Sequence, residues 1–135
     1  MGITLDIYKC DARKKSHEFY GEQYLDEYHI CDIDSRLAWT LVSYLHYVKK
    51  IDISECVIDK KVEVEALLDF AKRVDSISMF DSIREIEKKM GFPEGLYSKY
   101  GVNELSEDFM YAKYEILRQF TQIWTEKFVI INAGW

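Results

Sequence analysis

Proline and glycine are scarce in this chain of 135 residues, which holds one proline and six glycines. This scarcity excludes collagen-like and low-complexity proteins and leaves no stretch that resembles a linker. The glycines are also scattered, so the sequence lacks both the glycine-rich dinucleotide-binding loop and the phosphate-binding P-loop. We therefore expect a single globular domain over residues 1–135, long enough to bury its own core.

Cysteine is scarce as well, and no two of Cys10, Cys31 and Cys56 form a C-x-x-C pair. Three cysteines cannot all pair within one chain, and charged residues interrupt any apolar run near the N-terminus. These features predict a reduced, cytoplasmic protein. The apolar run at residues 128–131 is far shorter than the roughly 20 residues that span a bilayer, so no membrane association is expected.

Clustered positive charge is lacking too. The chain has 18 lysines and arginines against 24 aspartates and glutamates, for a net charge of -6. A phosphate-binding surface needs clustered basic side chains, so direct binding of nucleic acid is not expected. The acidic balance instead allows a basic partner. Sequences typical of zinc proteases and serine hydrolases are absent, and we expect no cofactor and assign no catalytic residue.

Aromatic residues, in contrast, are abundant. They make up 15% of the chain and include ten tyrosines. Tyrosine is amphipathic and loses little entropy when it is ordered, so it is favoured in interfaces and grooves. The excess predicts a protein partner, or a homodimer whose interface uses these side chains.

Alternating and continuous apolar patterns predict three strands, at residues 2–10, 23–30 and 127–132. Helical periodicity predicts four helices between them. Their expected ranges are 34–50, 60–75, 81–90 and 106–125. A short extended piece is expected near 51–58. The result is an α+β fold in which a small sheet, built from both ends of the chain, packs against central helices.

Capping residues refine these helices. Asp34 or Ser35 suits the first helix start and Asp59 the second, while Ser82 with Glu85 forms a predicted capping box that Gly91 terminates. In the last helix the inward stripe is predicted to comprise Met110, Tyr114, Leu117, Phe120, Thr121 and Trp124, widened by Ile116 and Ile123.

The stretch YHICDIDS at residues 28–35 suggests a site. On a strand, His29 and Cys31 would share a face, where Cys10 and His17 could join them as zinc ligands. A Cys–His pair could also act as nucleophile and base. The alternating carboxylates of this stretch could hold a divalent cation, although helix capping explains much of the pattern. The candidate residues are Cys10, His17, His29, Cys31, Asp32 and Asp34.

A second candidate site is a contact surface. The loop at 93–103 carries two tyrosines between glycines, which suits an adaptable contact, and acidic residues open the helix that follows it. The interaction residues predicted here are Tyr97, Tyr100, Glu104, Glu107, Asp108 and Tyr111. The leading hypothesis is a binding protein without catalytic activity, such as an inhibitor of a basic nucleic-acid-binding protein encoded by a phage or mobile element. The alternative is a metal-binding protein or a hydrolase centred on residues 10–34.

Overall fold

The computed structural model describes residues 4–9, 29–53, 60–102, 105–121 and 123–134. Within these ranges four strands form one antiparallel sheet in the order β2-β1-β4-β3. The strands are β1 (Thr4–Lys9), β2 (His29–Asp34), β3 (Lys60–Glu63) and β4 (Phe128–Gly134). The N-terminal and C-terminal strands lie side by side at the centre, which confirms the predicted α+β fold.

The helices lie between β2 and β4 in the chain. They are α1 (Ser35–Tyr47), α2 (Val64–Asp75), α3 (Ile83–Met90), the single turn α4 (Leu96–Lys99) and α5 (Ser106–Gln119), followed by a 3-10 turn at Ile123–Thr125. None of the helices in the described ranges has the length and apolar character needed to span a membrane.

The core forms between one face of the sheet and the helices. Leu5 and Ile7 alternate with partly or fully exposed residues along β1 and are fully buried, as the period-2 pattern predicts. From α1, Leu41, Tyr44 and Leu45 are also fully buried, which confirms the predicted stripe of that helix. The opposite face of the sheet therefore carries Thr4, Asp6 and Tyr8 of β1.

The termini of α3 follow the predicted capping pattern. The Ser82 hydroxyl accepts a hydrogen bond from the Glu85 amide at 3.2 Å, and the Glu85 carboxylate accepts one from the Ser82 amide at 2.9 Å. Gly91 then adopts the left-handed conformation, with φ of 81°, and ends the helix. Both ends of α3 are thus fixed by local chemistry.

The segment before α2 differs from its prediction. Residues 60–63 form β3 and the helix begins only at Val64, because Val62 pairs with Val129 at the edge of the sheet. Val62 is buried between exposed Lys61 and Glu63, so three residues alternate as a strand does. Residues 51–53 form no strand, and the rest of the predicted extended piece, with Asp59, lies outside the described residues.

The boundary of β2 also differs. The expected strand at 23–30 is a strand at His29–Asp34, and its residues 23–28 lie outside the described ranges. The reason is pairing: Thr4 and Leu5 of β1 face Asp34 and Ile33, so the backbone remains extended up to the first residue of α1. Asp32 therefore belongs to the sheet and not to a helix cap.

The buried stripe of α5 was predicted wrongly. Tyr114, Leu117, Thr121 and Trp124 are exposed. The side chains that enter the core instead are Phe109, Ala112, Ile116, Phe120 and Ile123. At 100° per residue this face lies about 120° around the helix from the predicted one. Both sets recur every three or four residues, so the periodicity alone could not choose between them.

Candidate functional site

A β-bulge sets the orientation of His29. Ile7 pairs with Cys31, but the next residue of β1, Tyr8, pairs with His29, which leaves Ile30 as an extra residue in β2. A bulge of this kind reverses the alternation of side chains beyond it. His29 and Cys31 therefore lie on opposite faces of the sheet, and the prediction that they share a face is wrong.

The bulge brings His29 to the outer face of the sheet, beside two carboxylates. Asp6 and Asp32 are direct cross-strand partners. The Nε2 atom of His29 lies 2.6 Å from Oδ1 of Asp32 and 3.7 Å from Oδ1 of Asp6. The ring of Tyr8 meets the imidazole edge to face, with centroids 5.3 Å apart. We call Asp6, His29 and Asp32 the outer-face triad.

The two carboxyl groups of the triad differ in proton affinity. Burial raises the pKa of Asp6 to about 6, and both the hydrogen bond with Asp32 and the Asp32 charge add to the rise. The hydrogen bond from Asp6 lowers the pKa of Asp32, and His29 lowers it further. The pair thus shares one proton that resides on Asp6.

Cys31 lies on the other face of the sheet and belongs to the core. Its side chain is 5% exposed. Burial, followed by the charges of Asp32 and Asp6, raises the pKa of its thiol to about 12. A thiol that remains protonated at neutral pH is neither a nucleophile nor a ready metal ligand. The predicted Cys–His pairing of Cys31 with His29 is therefore wrong.

Three other members of the predicted metal or catalytic group cannot be placed. Cys10 and His17 lie outside the described residues. Asp34 is the last residue of β2, directly before α1, and its side chain is likewise outside the described part. Of that group, the structure brings together His29 and Asp32, and it adds Asp6.

The predicted contact surface divides into buried and exposed members. Tyr97 is only 1% exposed, so the expectation that it is exposed is wrong, whereas Tyr100 is 57% exposed. Glu107 and Tyr111 are exposed and Asp108 is partly buried, while Glu104 lies outside the described residues. The reason for the burial of Tyr97 is an aromatic cluster: its ring lies 5.6 Å from Trp39 and 5.8 Å from Phe92.

A buried carboxylate fixes the backbone around Tyr97. Glu87 of α3 accepts hydrogen bonds from the amides of Gly95 at 3.0 Å and Tyr97 at 2.9 Å. Amides at the start of a helical turn have no partner within the turn, so this side chain acts as a cap from a distant helix. It holds the 95–101 segment against the core and leaves only Tyr100 to project.

The outer side of α5 is the largest apolar surface feature of the described helices. Tyr114 is 61% exposed, Leu117 is 64% exposed and Trp124, just beyond the helix, is 44% exposed. We call Met110, Tyr114, Leu117 and Trp124 the outer stripe. Beside it, α2 and α5 enclose an open groove of about 420 Å³ that Leu68 and Ala71 line from the α2 side.

Sequence reasoning missed Asp6 and Glu87, as well as the outer stripe as a surface. Asp6 lies on the polar face of an alternating strand, which is a weak signal because such residues are usually solvated. Glu87 lies among charged residues of a short helix, and nothing in its spacing indicates burial. The stripe had a signal: α5 carries apolar residues on two faces, more than one buried stripe requires.

No protein-family model, no curated protein and no solved structure matches this chain.

Proposed function

We propose that this protein acts by binding another protein chain through the outer stripe and the adjoining groove between α2 and α5. The observation that carries the proposal is the second apolar face of α5. One face of the helix, with Phe109 and Ile116, is buried in the core, while Tyr114 and Leu117 remain in solvent. A helix that is apolar on two sides is usually buried on two sides.

The composition of the outer stripe fits a protein interface. Tyrosine, tryptophan and methionine are enriched at the centres of interfaces, and exposed apolar patches on small proteins commonly mark binding sites. Tyr114 and Trp124 supply large rings, and Leu117 stands between the stripe and the groove. The groove provides a concave apolar floor into which the side chains of a partner helix can insert.

The charges around the groove favour an apolar partner over a basic one. Lys72, Asp75 and Lys113 line the groove together. Close to the stripe, Arg118 donates two hydrogen bonds to the Glu115 carboxylate at 3.0 and 3.1 Å. A mimic of nucleic acid needs an uninterrupted run of negative charge. The alternating charges here support an amphipathic helix as the partner, including α5 of a second copy.

The compartment we propose is the cytoplasm, with Cys31 as a thiol. Cys31 is free and buried, which supports this part of the proposal.

The proposal is tested with two double variants. Tyr114→Ser/Leu117→Ser removes the apolar centre of the stripe, and Tyr100→Ser serves as the control because its side chain has similar exposure on a different element. Sedimentation equilibrium of the purified chain measures self-association, and quantitative affinity capture from the native cell measures other partners. We expect a dimer or a captured protein that the stripe variant loses and that the Tyr100→Ser variant retains.

Two results contradict the proposal. One is a monomer at all concentrations together with a set of captured proteins that is the same for the wild type and the stripe variant. The other is a partner lost on Tyr100→Ser and retained by the stripe variant, which would move the contact to the 95–101 segment. Circular dichroism of each variant confirms that it is folded.

A further inference from the structure

The outer-face triad combines one imidazole and two carboxylates on adjacent strands. Asp6 and Asp32 face each other directly across β1 and β2, and the Ile30 bulge rotates His29 to the same side. One donor atom from each residue lies within 4.8 Å of the other two. This set is more than a group of acidic side chains, because it contains the nitrogen donor that distinguishes transition-metal sites from calcium and magnesium sites.

The distances are close to those around a metal ion. Ligands at about 2.0–2.2 Å from a tetrahedral zinc ion are separated by roughly 3.4 Å from each other. In the triad, Nε2 of His29 lies 3.7 Å from Asp6 and 2.6 Å from Asp32. An ion would therefore take the place of the proton between His29 and Asp32 after a displacement of about one ångström.

The electrostatics favour a cation at this point. Two carboxylates placed directly opposite each other on neighbouring strands repel when both are ionised. In the part of the chain that the structure describes, neither Asp6 nor Asp32 forms an ion pair with a lysine or arginine. A divalent ion neutralises both charges at once, and the partly exposed side chains leave one coordination position open to water.

The scaffold also suits a preorganised site. The ligands project from two paired strands of the central sheet, and strands hold ligand geometry more tightly than loops do. Bulges re-aim side chains at functional positions, and without the extra residue His29 would point into the core beside Cys31. The Tyr8 ring packs against the imidazole and restricts its rotation.

We propose that Asp6, His29 and Asp32 bind one divalent first-row transition-metal ion, with zinc as the reference ion. This site is separate from the outer stripe, and it does not depend on the proposed binding of a protein partner.

The experiment titrates purified, metal-free chain with Zn²⁺ by calorimetry and with Co²⁺ by visible spectroscopy. We expect one equivalent of ion, with cobalt bands that lack a thiolate-to-metal charge-transfer band because the ligands are nitrogen and oxygen. Each of His29→Ala, Asp6→Asn and Asp32→Asn should weaken binding by at least about tenfold, since loss of even an outer-shell partner costs about that much. Zinc should also raise the melting temperature of the wild type.

A matched control comes from α1. His46 forms an exposed pair with Asp52 that resembles the His29–Asp32 pair but has no third ligand. The His46→Ala variant should bind zinc as tightly as the wild type does. Asp32 is exposed, so Asp32→Asn is the variant that keeps the fold if Asp6→Asn does not.

Three outcomes overturn the proposal: no binding to the wild type, binding that Asp32→Asn and His29→Ala leave unchanged, or a thiolate band that shows cysteine as the ligand. Loss of binding in His46→Ala with retention in His29→Ala would also contradict it.

Discussion

The carboxylate of Glu87 accepts a 2.9 Å hydrogen bond from the backbone amide of Tyr97, in a buried position between α3 and the following turn. Replacing the carboxylate by an amide keeps the shape but places an NH2 group against a backbone N–H. We expect Glu87→Gln to lower the free energy of unfolding by about 1–3 kcal/mol, and Glu87→Ala to lower it further. Urea denaturation monitored by circular dichroism measures both.

The control for this prediction is Arg84→Ala in the same helix. Arg84 forms an exposed ion pair with Glu94. Such pairs contribute little, so the change should stay within about 0.5 kcal/mol. A Glu87→Gln variant as stable as the wild type would show that the buried carboxylate does not hold the 95–101 segment.

The orientation of α5 is tested by two neighbouring residues. Ile116 is buried and Leu117 is exposed. Ile116→Ala should lower the free energy of unfolding by about 2–5 kcal/mol because it leaves a cavity. Leu117→Ala should change it by less than about 0.5 kcal/mol. If denaturation gives the opposite order, the helix is rotated toward the stripe that its sequence predicted.

Cys31 should be inert in the folded protein. Burial raises the pKa of its thiol to about 12, so almost no thiolate exists at neutral pH. The Cys10→Ser/Cys56→Ser variant retains Cys31 as its sole cysteine. We expect a chromogenic disulfide reagent to modify no thiol in the native variant and one thiol in denaturant. Rapid modification of the native variant contradicts the assignment of Cys31 to the core.

Asp81 should make stability depend on acid pH. Hydrogen bonds from Lys89 at 2.7 Å and from the Ser78 amide at 2.8 Å hold the pKa of this carboxyl group below its ordinary 3.8. Because the unfolded chain binds the proton more readily, the contribution is present above the ordinary pKa and is lost as the pH falls through the folded pKa.

The measurement is the melting temperature of the wild type and Asp81→Asn. The wild type should melt higher at pH 7, and the difference should shrink at about pH 3 and below, as linkage requires. A difference that is constant or grows in acid would show that the charge of Asp81 is not what stabilises this turn.

The sequence predicts the sheet and the helices because their signals are local. The alternation around Leu5 and Ile7 and the capping box of Ser82 and Glu85 each depend on residues close together in the chain. The triad depends on the register between β1 and β2 and on the extra residue Ile30. Pairing register and bulges are set by contacts between segments that are far apart in sequence, so no spacing pattern reveals them.

The burial of side chains was predictable only where one solution existed. In α1 a single apolar stripe occurs, and it is buried as predicted. In α5 two stripes compete, and the one with Phe109 and Ile116 packs inside. The tyrosines divide in the same way: Tyr97 fills an aromatic cluster, while Tyr114 remains on the surface.

The central claim is that the outer stripe of α5 contacts another protein chain. The most direct measurement is site-specific photo-crosslinking in the native cell, with a photoreactive phenylalanine analogue at position 117 and, as the control, at position 100. The account predicts a discrete crosslinked species, either a second copy or another protein, from position 117 and none from position 100. Crosslinks from position 100 alone, or from neither position, would contradict it.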